Sequence, residues 1–242
     1  MQRLRDYKYI LFDADHTLLN YLADERGASE RLYASLGVET SEELLLASRK
    51  HSEEAWTDAG LYQVSLPHIQ KQYHTLYRTH TEEIFKRVFA QFPTIRVPYS
   101  AKQTGLMFLK ELEHTAIAID GAEETLAVLA KKYRLGVATN GLSVMQRARL
   151  VDMQKYFDKL FISEELGVIK PTKAFFEKVL KEWGINANEC LMVGDSLHSD
   201  MLGAKCAGMD CCWFNPHKID RDNEIVPDYE IRDLRELISL LD

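Results

Sequence analysis

The chain has 242 residues, 46% of them hydrophobic and 28% charged, and carries a formal net charge of -7. That is enough apolar material for one large core, or for a core with a satellite domain, and it excludes an intrinsically disordered chain. The acidic balance argues against a nucleic-acid or anionic-membrane surface, while leaving room for a small phosphorylated ligand met by a local basic group.

In chain order, the amino terminus Met1-Gln2-Arg3-Leu4-Arg5-Asp6 lacks the apolar core of a signal peptide. No stretch approaches the roughly 18 apolar residues that would span a bilayer, so a cytoplasmic protein is expected. The first element is the apolar run Tyr9-Ile10-Leu11-Phe12, read as a buried strand over about Lys8 to Asp13. Asp13 and Asp15 follow it at once, in Asp13-Ala14-Asp15-His16-Thr17. Two like charges one residue apart at a strand's carboxyl end are costly unless a cation or a shared proton relieves them. A solvated acidic turn would look the same in isolation, since D-x-D is a common pattern.

From about Leu18 to Ile119 the pattern turns helical, with Leu32, Leu36, Leu44, Leu45 and Trp56, then Ile84, Phe85, Val88 and Phe89 at helical spacing and Gly37, Gly60, Pro93 and Pro98 as breakers. No strand is expected there. After Gly121 strand and helix alternate: a helix over Ala122 to Lys131, the strand Leu135-Gly136-Val137-Ala138-Thr139, a helix near Ser143 to Met153, and the strand Leu160-Phe161-Ile162-Ser163. A helix over Thr172 to Trp183, the strand Cys190 to Gly194, a helix over Leu202 to Ala207, the short run Cys211-Cys212-Trp213-Phe214 and a closing helix near Leu234 to Leu241 complete the chain. Such alternation predicts an α/β fold with a doubly wound, mostly parallel, Rossmann-like sheet.

Three further groups fall at strand ends, where a parallel sheet gathers its loops into one crevice. Thr139-Asn140-Gly141 offers a hydroxyl and main-chain N–H groups to an oxyanion. Lys170, in Gly167-Val168-Ile169-Lys170-Pro171, could set a point charge on a phosphate or between crowded carboxylates, although a lone lysine is usually a solvated side chain. Gly194-Asp195-Ser196-Leu197-His198-Ser199-Asp200 again places a carboxylate directly after an apolar strand, and hard oxygen ligands of this kind suit Mg²⁺ better than zinc.

In this order the four elements resemble the haloacid dehalogenase superfamily, whose motifs read D-x-D-x-T, a strand-ending Ser or Thr, a Lys, and G-D-x-x-x-x-D. They are met here by Asp13/Asp15/Thr17, Thr139, Lys170 and Gly194/Asp195/Asp200. The helical stretch resembles the family's small α-helical cap inserted after the first strand. The resemblance therefore implies a catalytic core of residues 1–17 and 120–242 and a cap of residues 18–119. Ala138 to Gly141, Ile162 to Pro171 and Val193 to Ser196 are most similar to the bacterial pyrimidine 5'-nucleotidase branch.

The resemblance implies a Mg²⁺-dependent phosphatase in which Asp13 attacks phosphorus and forms an aspartyl-phosphate. Asp15 protonates the leaving oxygen and then draws a proton from the attacking water. It implies that Asp13, Asp195 and the main-chain carbonyl of Asp15 hold the metal. Asp13, Thr139, Asn140 (through its amide) and Lys170 meet the phosphate, and Asp200 orients Lys170 or a metal-bound water. The implied substrate is a nucleoside monophosphate such as UMP, dUMP or dTMP. A phosphatase of another small metabolite such as a sugar phosphate, and a phosphomutase, remain alternatives. A halide-displacing hydrolase has no leaving alkoxide for Asp15 to protonate, and a non-enzymatic phospho-acceptor has no need of about a hundred inserted residues.

Other residues read as structural. His16 and His198 occupy variable positions of the motifs. His68, His74 and His80 are six apart, a spacing that shares no helical face, so no zinc site is expected. Trp56, Tyr62, Tyr73 and Tyr77 could stack on a base, although aromatic rings in a small helical domain more often form its core. Cys190, Cys206, Cys211 and Cys212 lack metal-ligand spacing and are expected as reduced, buried thiols, the adjacent pair pointing to opposite faces of a strand.

Overall fold

In a computed structural model, which describes residues 6–221 and 224–242, six strands form one sheet: β1 (Tyr9–Phe12), β2 (Arg134–Thr139), β3 (Phe157–Ile162), β4 (Cys190–Gly194), β5 (Asp210–Phe214) and β6 (Tyr229–Ile231). Their order is β3-β2-β1-β4-β5-β6, and every pairing is parallel. The chain winds outward from β1 to β3, then returns to place β4 on the other side of β1. The loops leaving β1 and β4 thus diverge, which opens a crevice at their carboxyl ends. This is the doubly wound parallel sheet expected from the strand and helix alternation.

Ile10, Phe12, Val137, Leu191, Val193 and Cys212 belong to a buried cluster on one face, and Leu11, Ala138, Met192, Cys190, Cys211 and Trp213 to one on the other. Burial on both faces is why these strands read as unbroken apolar runs. The adjacent cysteines do point to opposite faces. Cys206, by contrast, is exposed, correcting the expectation that all four thiols are buried. It ends a short helix whose opposite side carries Gly203 and Ala204 inward.

Between β1 and β2 lie α1 (Tyr21–Ser35), α2 (Glu42–Asp58), α3 (Pro67–Gln91), α4 (Ala101–Leu112) and α5 (Ala122–Leu129). Then follow α6 (Ser143–Arg149), α7 (Ser163–Leu166), α8 (Lys173–Trp183), α9 (Leu202–Cys206) and α10 (Glu236–Leu240). The chain divides into two compact units: one drawn from Met1–Asn20, Ala118–Ser143 and Leu150–Asp242, the other from Tyr21–Ile117 with Val144–Arg149. Among the described residues no helix is long and apolar enough to cross a membrane.

Two helices of the helical unit, α2 and α4, start with side-chain caps, whereas α3 starts on Pro67 without one. Ser41 accepts from the Leu44 amide, and Ser100 and Gln103 form a reciprocal capping box. Asp24, fully buried, accepts hydrogen bonds from Arg149 Nη2 and from the Ile117 amide, both at 2.7 Å. In the sheet unit, Ile119 N donates to the Leu18 carbonyl at 2.9 Å and Leu19 bridges Ala118. The long segment between β1 and α5 is therefore pinched where it begins and ends.

His80 is buried in α3 with its ring 5.1 Å from that of Trp56, and its Nδ1 donates to the Tyr77 carbonyl at 2.6 Å. Burial pulls its pKa from 6.5 down to about 4, main-chain hydrogen bonds opposing. The folded state refuses a proton that the unfolded chain accepts below its ordinary pKa. Stability is therefore fully present above pH 6.5 and is lost as pH falls toward 4. The loss should be on the order of 3 kcal/mol at about 1.4 kcal/mol per pH unit. Urea denaturation of the protein and of His80→Leu at pH 7 and pH 4 should show this difference in pH dependence. Parallel profiles would mean that His80 is not held neutral.

Candidate active site

Each of the strands β1, β2 and β4 delivers a polar group at its carboxyl end. Asp13 follows Phe12 directly, and its amide donates to the Val193 carbonyl at 2.8 Å, so the register of β1 on β4 fixes where its carboxylate emerges. Asp195 follows Gly194 in the same way, with its main-chain carbonyl taken by Trp213 Nε1 at 2.8 Å and its Oδ1 by the Thr17 hydroxyl at 3.4 Å. Thr139 ends β2 and is 1% exposed.

Lys170 joins these ends. Its ammonium, 1% exposed, donates to Asp13 Oδ1 at 2.6 Å, to Asp200 Oδ1 at 2.6 Å and to the Ala138 carbonyl at 2.7 Å. All three of its protons are used. The Lys170 main chain is in turn clamped by Asn140, whose Oδ1 accepts from Lys170 N at 2.8 Å and whose Nδ2 donates to Lys170 O at 3.0 Å. The Asn140 side chain is therefore committed to Lys170, and what it can offer a ligand is its main chain. Asp200 accepts a second bond, from Ser196 N to Oδ2 at 3.1 Å. It lies so close to the end of β4 that a Cβ on Gly194 would stand 2.3 Å from Asp200 Oδ2. Only glycine fits there.

Carboxylate oxygens of Asp13, Asp195 and Asp200 lie within 4.8 Å of one another. Three acids thus share one lysine. Burial above all pushes the Asp13 carboxyl up to about 7, with Lys170 opposing and Asp200 and Asp15 adding to the push. Burial, then Asp13 and Asp200, drives Asp195 well above the carboxylate range. Burial draws Lys170 down, but Asp13 and Asp200 outweigh it and hold the ammonium charged. The excess of negative charge and the all-oxygen donor set fit a hard divalent cation such as Mg²⁺. The Asp15 side chain is half-buried and is not one of this group of three carboxylates.

The structure thus brings Asp13, Lys170, Asp195 and Asp200 into one cluster, with Thr139 adjoining Ala138 and Asp15 two residues beyond Asp13. Sequence reasoning missed Trp213, Ser196 and the Asn140 clamp, and Thr17 was noted only as a motif match. The contacts of Thr17 and Trp213 with Asp195, and of Asn140 with Lys170, join residues more than a dozen positions apart, so no local pattern displays them, whereas Ser196 lies inside the run that carries Asp195 and Asp200.

The family model described as haloacid dehalogenase-like hydrolase matches residues 7–208. A pyrimidine 5'-nucleotidase of Streptococcus pneumoniae, PynA, is 32% identical over 240 residues, covering 98% of this chain and 95% of its own. The pyrimidine 5'-nucleotidase YjjG of Escherichia coli is 29% identical over 239 residues, covering 97% and 98%. The crystal structure of the Bacillus subtilis HAD-hydrolase YfnB bound to magnesium superposes with a TM-score of 0.80 at 27% identity, over 98% of this chain and all of that one.

Gly194→Ala should force Asp200 away from Lys170 and Ser196. A loss of about 1–3 kcal/mol is expected for overpacking of this kind, read as a lower urea midpoint. Unchanged stability would mean that the approach of Asp200 to β4 is not as tight as described.

Proposed function

The chain belongs to the haloacid dehalogenase-like hydrolases, and from that premise we propose that it is a Mg²⁺-dependent phosphomonoesterase acting on pyrimidine nucleoside 5'-monophosphates such as UMP, dUMP or dTMP. The observation that carries the phosphatase reading is the Asp13 carboxylate held at 2.6 Å by a buried lysine, with a second acid two residues on. Lys170 fixes one Asp13 oxygen and leaves the other to attack phosphorus in line, with expulsion of the nucleoside alkoxide. Asp15 gives the alkoxide its proton. It then takes one from the water that attacks the aspartyl-phosphate and regenerates Asp13.

Thr139, the Asn140 amide and Lys170 would hold the phosphoryl oxygens, and Asp200 keeps Lys170 in place. Asp13, Asp195 and the Asp15 carbonyl are the groups that would hold Mg²⁺, which would supply the positive charge that lets an anionic ester approach anionic carboxylates. The helices between residues 18 and 119 act as a cap that selects the leaving group. Pyrimidine preference is supported by the names of the two relatives, PynA and YjjG, which match over nearly the whole chain.

Asp13→Asn keeps the shape and removes the attacking charge, so hydrolysis of UMP should fall by roughly a thousandfold or more while circular dichroism stays unchanged. EDTA should silence the wild-type enzyme and Mg²⁺ should restore it. Turnover that survives either change would rule out the mechanism.

The substrate reading is tested by kcat/KM over UMP, dUMP, dTMP, purine nucleotides and sugar phosphates. Pyrimidine nucleotides should lead. A lead of about tenfold by any other class, some 1.4 kcal/mol of transition-state binding, would overturn the preference without touching the aspartyl-phosphate chemistry.

A further inference from the structure

The loop that leaves β2 is held by more than its strand. Thr139 is paired with Ile162 of β3, so Ser163 follows β3 at the level where Asn140 follows β2. Ser163 is fully buried, and its hydroxyl both accepts from Gly141 N at 3.0 Å and donates to Gly141 O at 3.4 Å. A single hydroxyl thus engages the donor and the acceptor of one residue. Two positions on, the Ser143 amide donates to Glu164 Oε2 at 2.8 Å and the Ser143 hydroxyl to Glu165 Oε1. With the Asn140 side chain closed on the main chain of Lys170, the loop is fastened at Asn140, Gly141 and Ser143.

Where these contacts fall matters more than their number. Ser143 is the last residue of the sheet unit before the chain passes into Val144–Arg149 of α6, which belong to the helical unit. The β2 ladder ends at Thr139, so the segment beyond it needs other anchors to stay in register with the sheet. Those anchors come from Ser163, Glu164 and Glu165 beyond β3, inside the same unit as the strands. They occupy the Gly141 and Ser143 amides. The amide that the phosphatase reading gives to the phosphoryl oxygens, Asn140 N, lies between the end of β2 and the tethered Gly141. A peptide plane is rigid, so the aim of that N–H follows the backbone on either side of it.

We propose that Ser163, assisted by Glu164, is a positioning residue for the phosphate: it fixes the turn after β2 so that the Thr139 hydroxyl and the Asn140 amide meet the phosphoryl oxygens together. Ser163 acts through Gly141 and not by touching the substrate. Donors fixed in advance stabilise an oxyanion without having to reorganise around it, which is what a buried tether of this kind provides. The inference rests on the phosphatase reading above, whatever the base preference, and extends its phosphate site to the residues that support it.

The test uses the full chain with Mg²⁺ and takes inorganic phosphate as the probe. Ser163→Ala removes both contacts to Gly141. The inhibition constant of phosphate, and KM for UMP and for p-nitrophenyl phosphate, should each rise by about tenfold, the low end of what one hydrogen bond to a charged group is worth. The factor should be the same for both esters, because the phosphoryl group is what they share. The Mg²⁺ concentration for half-activation should stay within about twofold of wild type, since the tether does not reach Asp13 or Asp195. Glu164→Ala, at a partly exposed position, should give the same pattern at about fivefold and decides the matter should Ser163→Ala fail to fold. A phosphate inhibition constant within about twofold of wild type in the folded variant overturns the assignment and leaves the phosphatase reading standing. An equal shift in the phosphate and Mg²⁺ constants, the mark of a generally loosened crevice, does the same. A wild-type protein that hydrolyses neither ester and binds no phosphate refutes that reading and this inference with it.

Discussion

The geometry of the crevice hangs on the ammonium of Lys170. Its three hydrogen bonds end on Asp13 beyond β1, on Ala138 within β2 and on Asp200 beyond β4, so one buried cation ties together groups from three strands. A buried charge is tolerated only where its partners are good, and these are two carboxylates and a carbonyl, all within 2.7 Å. The same arrangement leaves the cluster short of positive charge, because Asp195 joins it without a lysine of its own. Structural rigidity and the demand for a further cation thus come from one arrangement of charges.

The main chain of Lys170 is held as firmly as its side chain. An asparagine amide that both donates to and accepts from one residue's main chain imitates a strand partner, and this lets the segment around Lys170 run beside the end of β2 without belonging to the sheet. Gly194 plays the complementary part by leaving room for Asp200 to fold back over the end of β4. The acids are close because the backbone beneath them lacks a side chain. Electrostatic crowding here is a product of steric permission.

Much of this was legible in the sequence because strands buried on both faces must be apolar throughout, and Ile10 to Phe12, Val137, Ala138 and Cys190 to Val193 are. The polar residues that follow those runs, Asp13, Thr139 and Asp195, mark the strand ends. β6 escaped notice because Tyr229–Ile231 is only three residues long with a glutamate at its centre, too short for a pattern to form. The helix expected from Ser143 to Met153 ends at Arg149, and the chain then tightens into a 3-10 turn over Val151–Tyr156. No spacing rule could pair residues 24 and 149, or reveal that Asn140 spends its side chain on Lys170. Long-range polar pairing is set by tertiary packing, and a single sequence does not display it.

The pinched stem of the helical insertion bears on how such a chain is put together. With Leu18 bonded to Ile119, Leu19 bridged to Ala118 and Asp24 bonded to the Ile117 amide, the inserted segment leaves and re-enters the sheet as the two sides of a hairpin would. To the sheet, a long insertion and a short turn at this point are nearly equivalent, because loop-closure entropy grows only with the logarithm of length. Modules of different size could be exchanged there with little cost to the strands. The arrangement is not wholly detachable, however, because Met145, Gln146 and Arg149 on α6 are buried as part of the helical unit. A shortened chain would have to make that helix polar, so the insertion has left its mark on a segment far from its own boundaries.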